Sequence, residues 1–435
     1  MNAGESPALA LLRRRLGPLP IAAWALLAVL IAGLATGFSD ARRERVRGDF
    51  AKFSLAAAQV LYEGGNPYDK GEVGKNYKYF PLNATLLGPF TLVPRPAAQG
   101  AWFALNLALL LLAMLVHADF LARWRPPWWV WMFALALAAR FLWQNLKMGQ
   151  WNTSVYALSV LGVWLAARRP VAGGVLVALA GSIKYLPFAF LAAFGLQRNG
   201  RAALGVLLGA VLWLLVVPTA ILGPARHGEL LAAFRDKARD AYGEMRGVED
   251  VVVGYSLRTT LFRYLHPVSH QDQSITAPIA IIELPKGPAS LLSDALVLAV
   301  AFPALWLTWR LGRRGPAGLT PAALGVLALW FLLFLLASPE VRKAHLLTVF
   351  TPLLFVAAWW ARAAAGGARG AVSAALGVAG AALLASSTLF DAMEPFTDAM
   401  TRYGSWTLLL AAVYAATLVA ARDAVLAETA DQQPS

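Results

Sequence analysis

Five polar positions or clusters stand out in an otherwise apolar chain, and each holds side chains able to handle a proton, a phosphate or a hydroxyl. Asp49, within Arg47-Gly48-Asp49-Phe50, lies just outside the first apolar run and ahead of the turn residues Gly64-Gly65-Asn66-Pro67-Tyr68. A carboxylate so placed can serve as a general base, and can equally be a loop acid paired with the neighbouring arginines. Tyr79, within Asn76-Tyr77-Lys78-Tyr79-Phe80-Pro81, stands where the chain re-enters apolar sequence; it suits either a ligand contact or an interfacial aromatic anchor. Gln150 and Asn152, in Met148-Gly149-Gln150-Trp151-Asn152, open a neutral run. A helix N-terminus there can accept an anion or a hydroxyl, or Asn152 can simply cap it.

Lys184 is the sharpest of these features on physical grounds. It interrupts the apolar stretch Ala172–Leu196 near its middle, with Pro187 close behind. An ammonium within a membrane helix costs ~2.5–3.5 kcal/mol on insertion scales unless it is paired or reaches water. A lipid phosphate or a buried acid would pair it, and a short helix would let it snorkel to an interface. Finally, Ser338-Pro339-Glu340-Val341-Arg342-Lys343-Ala344-His345 sets Arg342 and His345 between two clean apolar runs. That set suits recognition of a phosphate and a sugar, and would also serve as an ordinary loop.

The absent residues narrow the chemistry. The chain has no cysteine, so disulfides, thiol nucleophiles and thiolate metal sites are excluded. No D-x-D triad, Gly-rich phosphate loop with its Lys, H-E-x-x-H or EF-hand pattern is present, which argues against a nucleotide-dependent or metal-centred site. No cofactor is expected. Net charge +14 raises the possibility of nucleic acid, but the basic residues flank apolar runs and form no basic–aromatic module, so no nucleic-acid partner is expected. Proton-coupled transport would place acids inside the spans, and only Asp294 lies near one.

The elements that must position these residues are membrane helices. Of the 435 residues 59% are hydrophobic and only 14% charged, and the charges gather between long neutral runs. Leu16–Ser39, Ala98–Val116, Met148–Ala167, Ala202–Ala225, Gly315–Pro339, Ala344–Ala361, Gly370–Phe390 and Tyr403–Ala421 contain no Asp, Glu, Lys or Arg. Each approaches the length that crosses ~30 Å of hydrocarbon at 1.5 Å per residue. None shows the period-2 alternation of a membrane barrel. The fold class is therefore all-α, a polytopic membrane helical bundle of about twelve transmembrane helices with a polar first outer loop. Arg13-Arg14-Arg15 before the first run reads as an uncleaved signal-anchor.

Two ambiguous segments decide the topology. Leu82–Val93 is apolar but short and bracketed by Pro81, Pro89 and Pro94, so it reads as an outer half-helix. The 172–196 stretch reads as two short helices meeting at Lys184. Both termini are then cytoplasmic, and the basic joints Arg123–Arg125, Arg168-Arg169, Arg198–Arg201, Arg310–Arg314 and Arg362–Arg369 fall inside, as positive-inside loops do. The expected organisation is a cytoplasmic N-terminus 1–15, a single transmembrane domain 16–421 with outer loops 40–80 and 226–285, and a polar cytoplasmic tail 422–435. Within the second loop, Glu229 to Tyr242 is amphipathic and suits the membrane interface. The polar sites then share the outer face, with Lys184 directed toward them.

In this order, these motifs resemble glycosyltransferase family 87 of the GT-C membrane superfamily, the polyprenol-phosphate-sugar-dependent enzymes that include mycobacterial phosphatidylinositol-mannoside mannosyltransferases. The resemblance runs over roughly 45–360. It rests on Gly48-Asp49, the G-x-N-P-Y of Gly64 to Tyr68, Tyr79-Phe80-Pro81-Leu82, Gly149 to Asn152, Lys184-Tyr185-Leu186-Pro187, Ser256-Leu257, and Ser338-Pro339 leading to His345. Phe80 replaces the first Pro of the family's usual Y-P-P, and Gly254-Tyr255 stands where Asn-Gln often precedes Ser.

The resemblance implies a GT-C bundle in the cell inner (plasma) membrane, with its active site on the periplasmic or extracytoplasmic side. It implies transfer of a hexose, most naturally mannose, from a polyprenyl-phosphate sugar to a lipid or glycan acceptor. Asp49 would be the catalytic general base of an inverting reaction. Lys184 and Arg342 would hold the lipid-linked phosphate, and Tyr79, Gln150, Asn152 and His345 would line the sugar. The implied partners are the donor, the acceptor and membrane lipids. A polyprenyl phosphate is already a good leaving group, so one base and stabilising cations suffice, whereas glycosidases need two carboxylates. A lipid-linked-sugar flippase or transporter and a non-catalytic membrane subunit are the alternatives.

Overall fold

The computed structural model describes residues 48–69, 77–246, 254–267, 280–313, 318–338, 341–363, 367–385 and 403–431, with isolated positions at 35, 38, 39 and 400. The first expected span, 16–39, lies almost wholly outside them, as do Arg42 to Arg47, Asn76, Pro339 and Glu340. The described residues are helical with no strand, in keeping with the all-α membrane class. Among the described residues five helices are long and apolar enough to cross a membrane, and five shorter apolar ones accompany them. The described residues do not establish the expected figure of about twelve. The chain divides into two compact units: residues 1–237 with 316–321, and 238–315 with 322–435.

In the first unit, α1 (Asp49–Leu61) comes first among the described helices, and the segment 82–93, expected as one half-helix, is instead two short helices, α2 (Pro81–Leu86) and α3 (Gly88–Thr91). Pro81 opens α2 and Pro89 falls in the first turn of α3, where a missing N–H costs nothing. Helices α4 (Arg95–Phe120) and α5 (Trp128–Met148) are followed by α6 (Asn152–Ala166) and α7 (Pro170–Ile183). Lys184 ends α7 in an extended conformation (φ −137°, ψ 124°), and a 3₁₀ turn (Leu186–Ala189) leads into α8 (Phe190–Leu196). The expected break at Lys184 is present. Pro187 cannot extend α7, and Lys184 supplies a polar point at which to stop.

Helix α9 (Gly200–Val211) starts at Asn199, whose side chain accepts a hydrogen bond from Ala202 N at 3.2 Å. It passes through a π turn (Leu212–Val216) into α10 (Val217–Leu222). The π turn stands just ahead of Pro218, which lacks the amide that an α-helix would pair with Leu214. Glycines bring α6, α7 and α9 together. A Cβ on Gly173 would overlap the backbone of Ala166, one on Gly174 that of Ala202, and one on Gly205 that of Val171. Lipid tails give apolar helices no reason to associate, so close backbone approach through small residues holds such helices side by side.

Two helices lie within the described part of 226–285. α11 (Pro224–Arg246) and α12 (Leu257–Leu265) occupy much of it, because Ala, Leu, Arg and Glu dominate the first and Ser256 caps the second through Thr259 N at 3.1 Å. The apolar side of α11 packs inward: Leu230 is buried, and Phe234 contacts Phe80 and Tyr68 with ring centroids 4.5 and 5.8 Å apart.

In the second unit, α13 (Lys286–Gly312), α14 (Pro321–Ala337), α15 (Phe350–Arg362), α16 (Gly367–Ala385) and α17 (Ser405–Asp431) follow. α14 is apolar on every side and almost wholly buried, as a central helix should be. Trp330 Nε1 donates to Thr308 Oγ1 of α13 at 3.1 Å, Gly325 lies against Phe355 of α15 and Ala421 of α17, and Tyr414 Oη of α17 donates to Val300 O of α13 at 2.5 Å. The expected tail 422–435 continues α17 to Asp431, since Ala, Leu and Glu keep the helix going after the apolar run ends.

Candidate functional site

The core of the first unit is aromatic. Phe50, Phe53, Tyr68, Tyr77, Trp102 and Trp151 are buried together, with Tyr79 and Phe90 packed against them. Trp102 meets Trp151 edge-on at 4.6 Å between centroids and stacks on Phe50 at 5.6 Å, while Phe53 meets Tyr79 at 5.0 Å. This wall is built from α1, the stretch before α2, α4 and the α5–α6 turn, and it fixes the backbone from which the polar residues project.

The α5–α6 turn depends on Gly149. Its φ of +64° is in the left-handed region, and a Cβ there would stand 2.7 Å from Phe50 Cβ. Trp102 Nε1 donates to Gly149 O at 3.0 Å and pins the turn to α4. On the facing segment, a Cβ on Gly48 would stand 2.5 Å from Met148 O. Asp49 is therefore held between two residues that touch the 148–149 backbone. It occupies the first turn of α1, with a side chain about one-third exposed and Lys52 Nζ at 4.0 Å. An ion pair so open to water contributes little. The arginines that could have paired with Asp49 lie outside the described residues.

At the other side of the turn, Lys184 Nζ donates to Asn152 Oδ1 at 2.5 Å. Asn152 Nδ2 donates in turn to Gln150 Oε1 at 2.8 Å and Asn145 Oδ1 at 2.9 Å. The ammonium also stands 6.0 Å from the Tyr79 ring centroid, within cation–π range. The break after α7 gives Lys184 its reach: an unbroken helix would carry the side chain along its own flank. Lys184, Asn152, Gln150 and Tyr79 are thus brought together as one network. Asn145 completes it; an Asn in the last turn of an apolar helix was the available sequence signal.

Around this network several polar atoms are buried without a hydrogen-bond partner among the described residues: Tyr77 Oη, Asn83 Oδ1, Ser182 Oγ, Thr153 Oγ1 and Trp151 Nε1. Orphaned buried groups are costly, so a concentration of them marks a place able to take hydroxyl-rich matter. Burial raises the Tyr77 phenol far above its ordinary value, with Tyr79 adding to the effect. Burial likewise raises Tyr68, helped by Tyr77. Both stay protonated donors, and Tyr68 Oη spends its proton on Tyr79 O at 2.7 Å. Among the described residues no three of His, Cys, Asp and Glu gather into a metal-holding group.

Arg342 and His345 belong to the second unit. Arg342 N donates to His345 Nδ1 at 3.0 Å, and His345 N to Arg342 O at 2.9 Å, so the two close the start of a 3₁₀ turn (Lys343–Val349). Arg342 is exposed and His345 half-buried. Beside them, Tyr255 N donates to Val341 O at 3.0 Å and Lys343 Nζ stands 5.6 Å from the Trp406 ring centroid. A buried cation nearby was not singled out from the sequence. Arg263 of α12, 3% exposed, donates to Thr260 Oγ1 at 3.1 Å; Thr260 pairs with Thr407 at 2.7 Å, and Thr407 donates to Tyr255 O at 3.2 Å. Burial lowers the Arg263 pKa, offset by Tyr264 and Tyr255. Its signal was the spacing of Thr259, Thr260 and Arg263, which places three polar groups on one helix face.

A model described as Glycosyltransferase family 87 matches residues 77–339, more than half the chain. That range contains Tyr79, Gln150, Asn152 and Lys184 and leaves Asp49, Arg342 and His345 outside. A protein of Mycobacterium tuberculosis (strain ATCC 25618 / H37Rv), named a polyprenol-phosphate-mannose-dependent alpha-(1-2)-phosphatidylinositol mannoside mannosyltransferase, is 30% identical over 208 residues. The alignment covers 42% of this chain and 48% of that relative, so the chain spans about half the length of the curated relative it matches. No solved structure matches.

Proposed function

The chain belongs to glycosyltransferase family 87, and from that premise we propose that it transfers a hexose, taken to be mannose, from a polyprenyl-phosphate sugar to a lipid or glycan acceptor on the outer face of the membrane. Asp49 accepts the proton of the acceptor hydroxyl as that oxygen attacks the anomeric carbon. The bond from that carbon to the phosphate oxygen breaks, and the polyprenyl phosphate departs with the electron pair. Inversion at the anomeric carbon follows from the single displacement. Lys184 offsets the phosphate charge, while Tyr79, Gln150 and Asn152 orient the sugar hydroxyls. No cofactor takes part, and the lipid-linked sugar is itself the donor.

The observation that carries this reading is the network at the end of α7. An ammonium set at a broken membrane helix, beside Asn152, Gln150 and Tyr79, is the equipment a phosphate-linked sugar needs. The test is turnover by the purified protein in lipid, offered a panel of radiolabelled polyprenyl-phosphate sugars. Transfer from the mannosyl donor is expected; uptake of donor into vesicles with no glycosidic product would favour a transporter. The outer-face assignment is checked by cysteine probes, which are clean in a chain without cysteine. Lys78→Cys should react with an impermeant thiol reagent in intact cells and Gly200→Cys should not.

A further inference from the structure

The segment around α2 and the end of α7 meet at two points. The Tyr79 ring centroid stands 6.0 Å from Lys184 Nζ, and Asn83 Nδ2 lies 3.5 Å from Ser182 O. Tyr79 and Lys184 are half-buried, whereas Asn83 and Ser182 are fully buried, so the second pair forms the inner layer of this juxtaposition. Its two side-chain oxygens, Asn83 Oδ1 and Ser182 Oγ, have no hydrogen-bond partner among the described residues. Turning the Asn83 amide over would not cure this. Its Nδ2 faces two carbonyls, Phe80 O and Ser182 O, both at 3.5 Å, and an oxygen in its place would oppose both. Ser182 is equally out of step with other helical hydroxyls of the chain. Ser159, Ser293, Thr308 and Thr417 each donate to the carbonyl four residues back in their own helix, at 2.7–2.8 Å. Ser182, in the last turn of α7, does not.

We infer that Asn83 and Ser182 read hydroxyl groups of the donor sugar and set which hexose is accepted. The inference rests on the transfer proposed above, in which Lys184 meets the phosphate end of the donor. The sugar ring is joined directly to that phosphate, and Ser182 stands two residues before Lys184, on the stretch that meets Tyr79 and Asn83. Asn83 Oδ1 can only accept a hydrogen bond, while Ser182 Oγ can donate or accept one, so the pair suits two hydroxyls of one pyranose. A site built to bond a hydroxyl discriminates sharply against a sugar that lacks it or turns it away, because buried protein groups are then left unmet. Two unmet oxygens at one contact also cost the sugar-free chain stability, which apolar side chains of similar size would not. A pair serving packing alone has no reason to carry that cost.

The full chain in detergent is titrated with polyprenyl-phosphate mannose and with its monodeoxy analogues, without acceptor, and its melting temperature is read without donor. Ser182→Ala and Asn83→Leu should each bind the mannosyl donor roughly two- to tenfold less well than wild type, the worth of one hydrogen bond. With the analogue that lacks the hydroxyl each residue contacts, variant and wild type should bind alike. Ser182→Ala removes only an unmet hydroxyl, so its melting temperature should equal or exceed that of wild type; it carries the test alone if Asn83→Leu does not fold. Undiminished donor binding by Ser182→Ala would overturn the assignment and leave the pair as partners of a trapped water. A loss of the same size with every analogue would overturn it in favour of a displaced backbone, and a melting temperature several degrees lower for Ser182→Ala in favour of a structural hydroxyl. A wild type that binds none of these donors would overturn the transfer reading itself, and this assignment with it.

Discussion

Replacing Asp49 with Asn separates a catalytic role from a structural one, because the structure sets a low ceiling on what the fold can lose. The carboxylate is about one-third exposed, its ion partner Lys52 is half in water at 4.0 Å, and α1 has no side-chain N-cap that depends on it. Loss of an exposed pair costs ~0–1 kcal/mol, and loss of a first-turn charge at a helix N-terminus ~0.3–1 kcal/mol. The melting temperature in detergent should therefore move by only a few degrees. A positioned general base is worth ~10²–10⁴ in rate, or about 2.7–5.4 kcal/mol in the barrier at 1.36 kcal/mol per tenfold. The assay is transfer of radiolabelled sugar from the polyprenyl-phosphate donor in proteoliposomes, with donor binding measured in parallel. Asp49→Asn should bind donor as wild type does and turn over ~10²–10⁴ times more slowly. Asp49→Glu keeps the charge and displaces it by one methylene, so it should show a partial defect. Glu63→Gln and Asp69→Asn, on the loop beyond α1, are controls expected to remain active. Wild-type turnover by Asp49→Asn, with one of the controls dead, would refute the assignment of the base; activity in all of them would remove the proposed mechanism.

Three further outcomes follow from the same structure. Lys184→Met should weaken donor binding strongly while Lys184→Arg retains part of it, since the charge and not the bulk makes the contact; equal binding by Met and wild type in a donor-titration assay would show that the ammonium only holds Asn152. Gly149→Ala must accommodate both a φ of +64° and a Cβ 2.7 Å from Phe50 Cβ, so it should lower stability by ~1–3 kcal/mol, read as a fall in melting temperature. His227 of α11 bonds Thr219 at 2.8 Å and has its pKa lowered by burial, partly offset by a backbone hydrogen bond. The fold thus favours the neutral ring, and the unfolded chain binds the proton more readily. Its contribution is complete above the ordinary value near 6.5 and is lost as pH falls below it; His227→Asn should flatten this part of the stability–pH curve.

Much of this protein could be reasoned from composition and local chemistry, because a membrane reduces the options for a backbone to helices and closed barrels and the neutral runs showed no strand period. The interruption at Lys184 and the shortness of 81–91 were legible for the same local reason: prolines and a lone ammonium act on the chain within a turn of where they stand. Within 226–285 the amphipathic stretch Glu229 to Tyr242 was legible and falls inside α11, whereas α12 was not singled out, because nine residues with few apolar positions give little periodicity. Partners across the sequence were decided by tertiary packing alone. That Lys184 finds Asn152, that Asn152 also holds Gln150 and Asn145, and that Gly48 seats Asp49 beside Met148 depend on glycines letting backbones touch and on an aromatic wall fixing the turn. Arg263 shows the same limit from the other side. Its residue type argues for exposure, yet it is buried and donates to Thr260, which pairs with Thr407 of α17, a partnership across the fold that no local window of sequence contains.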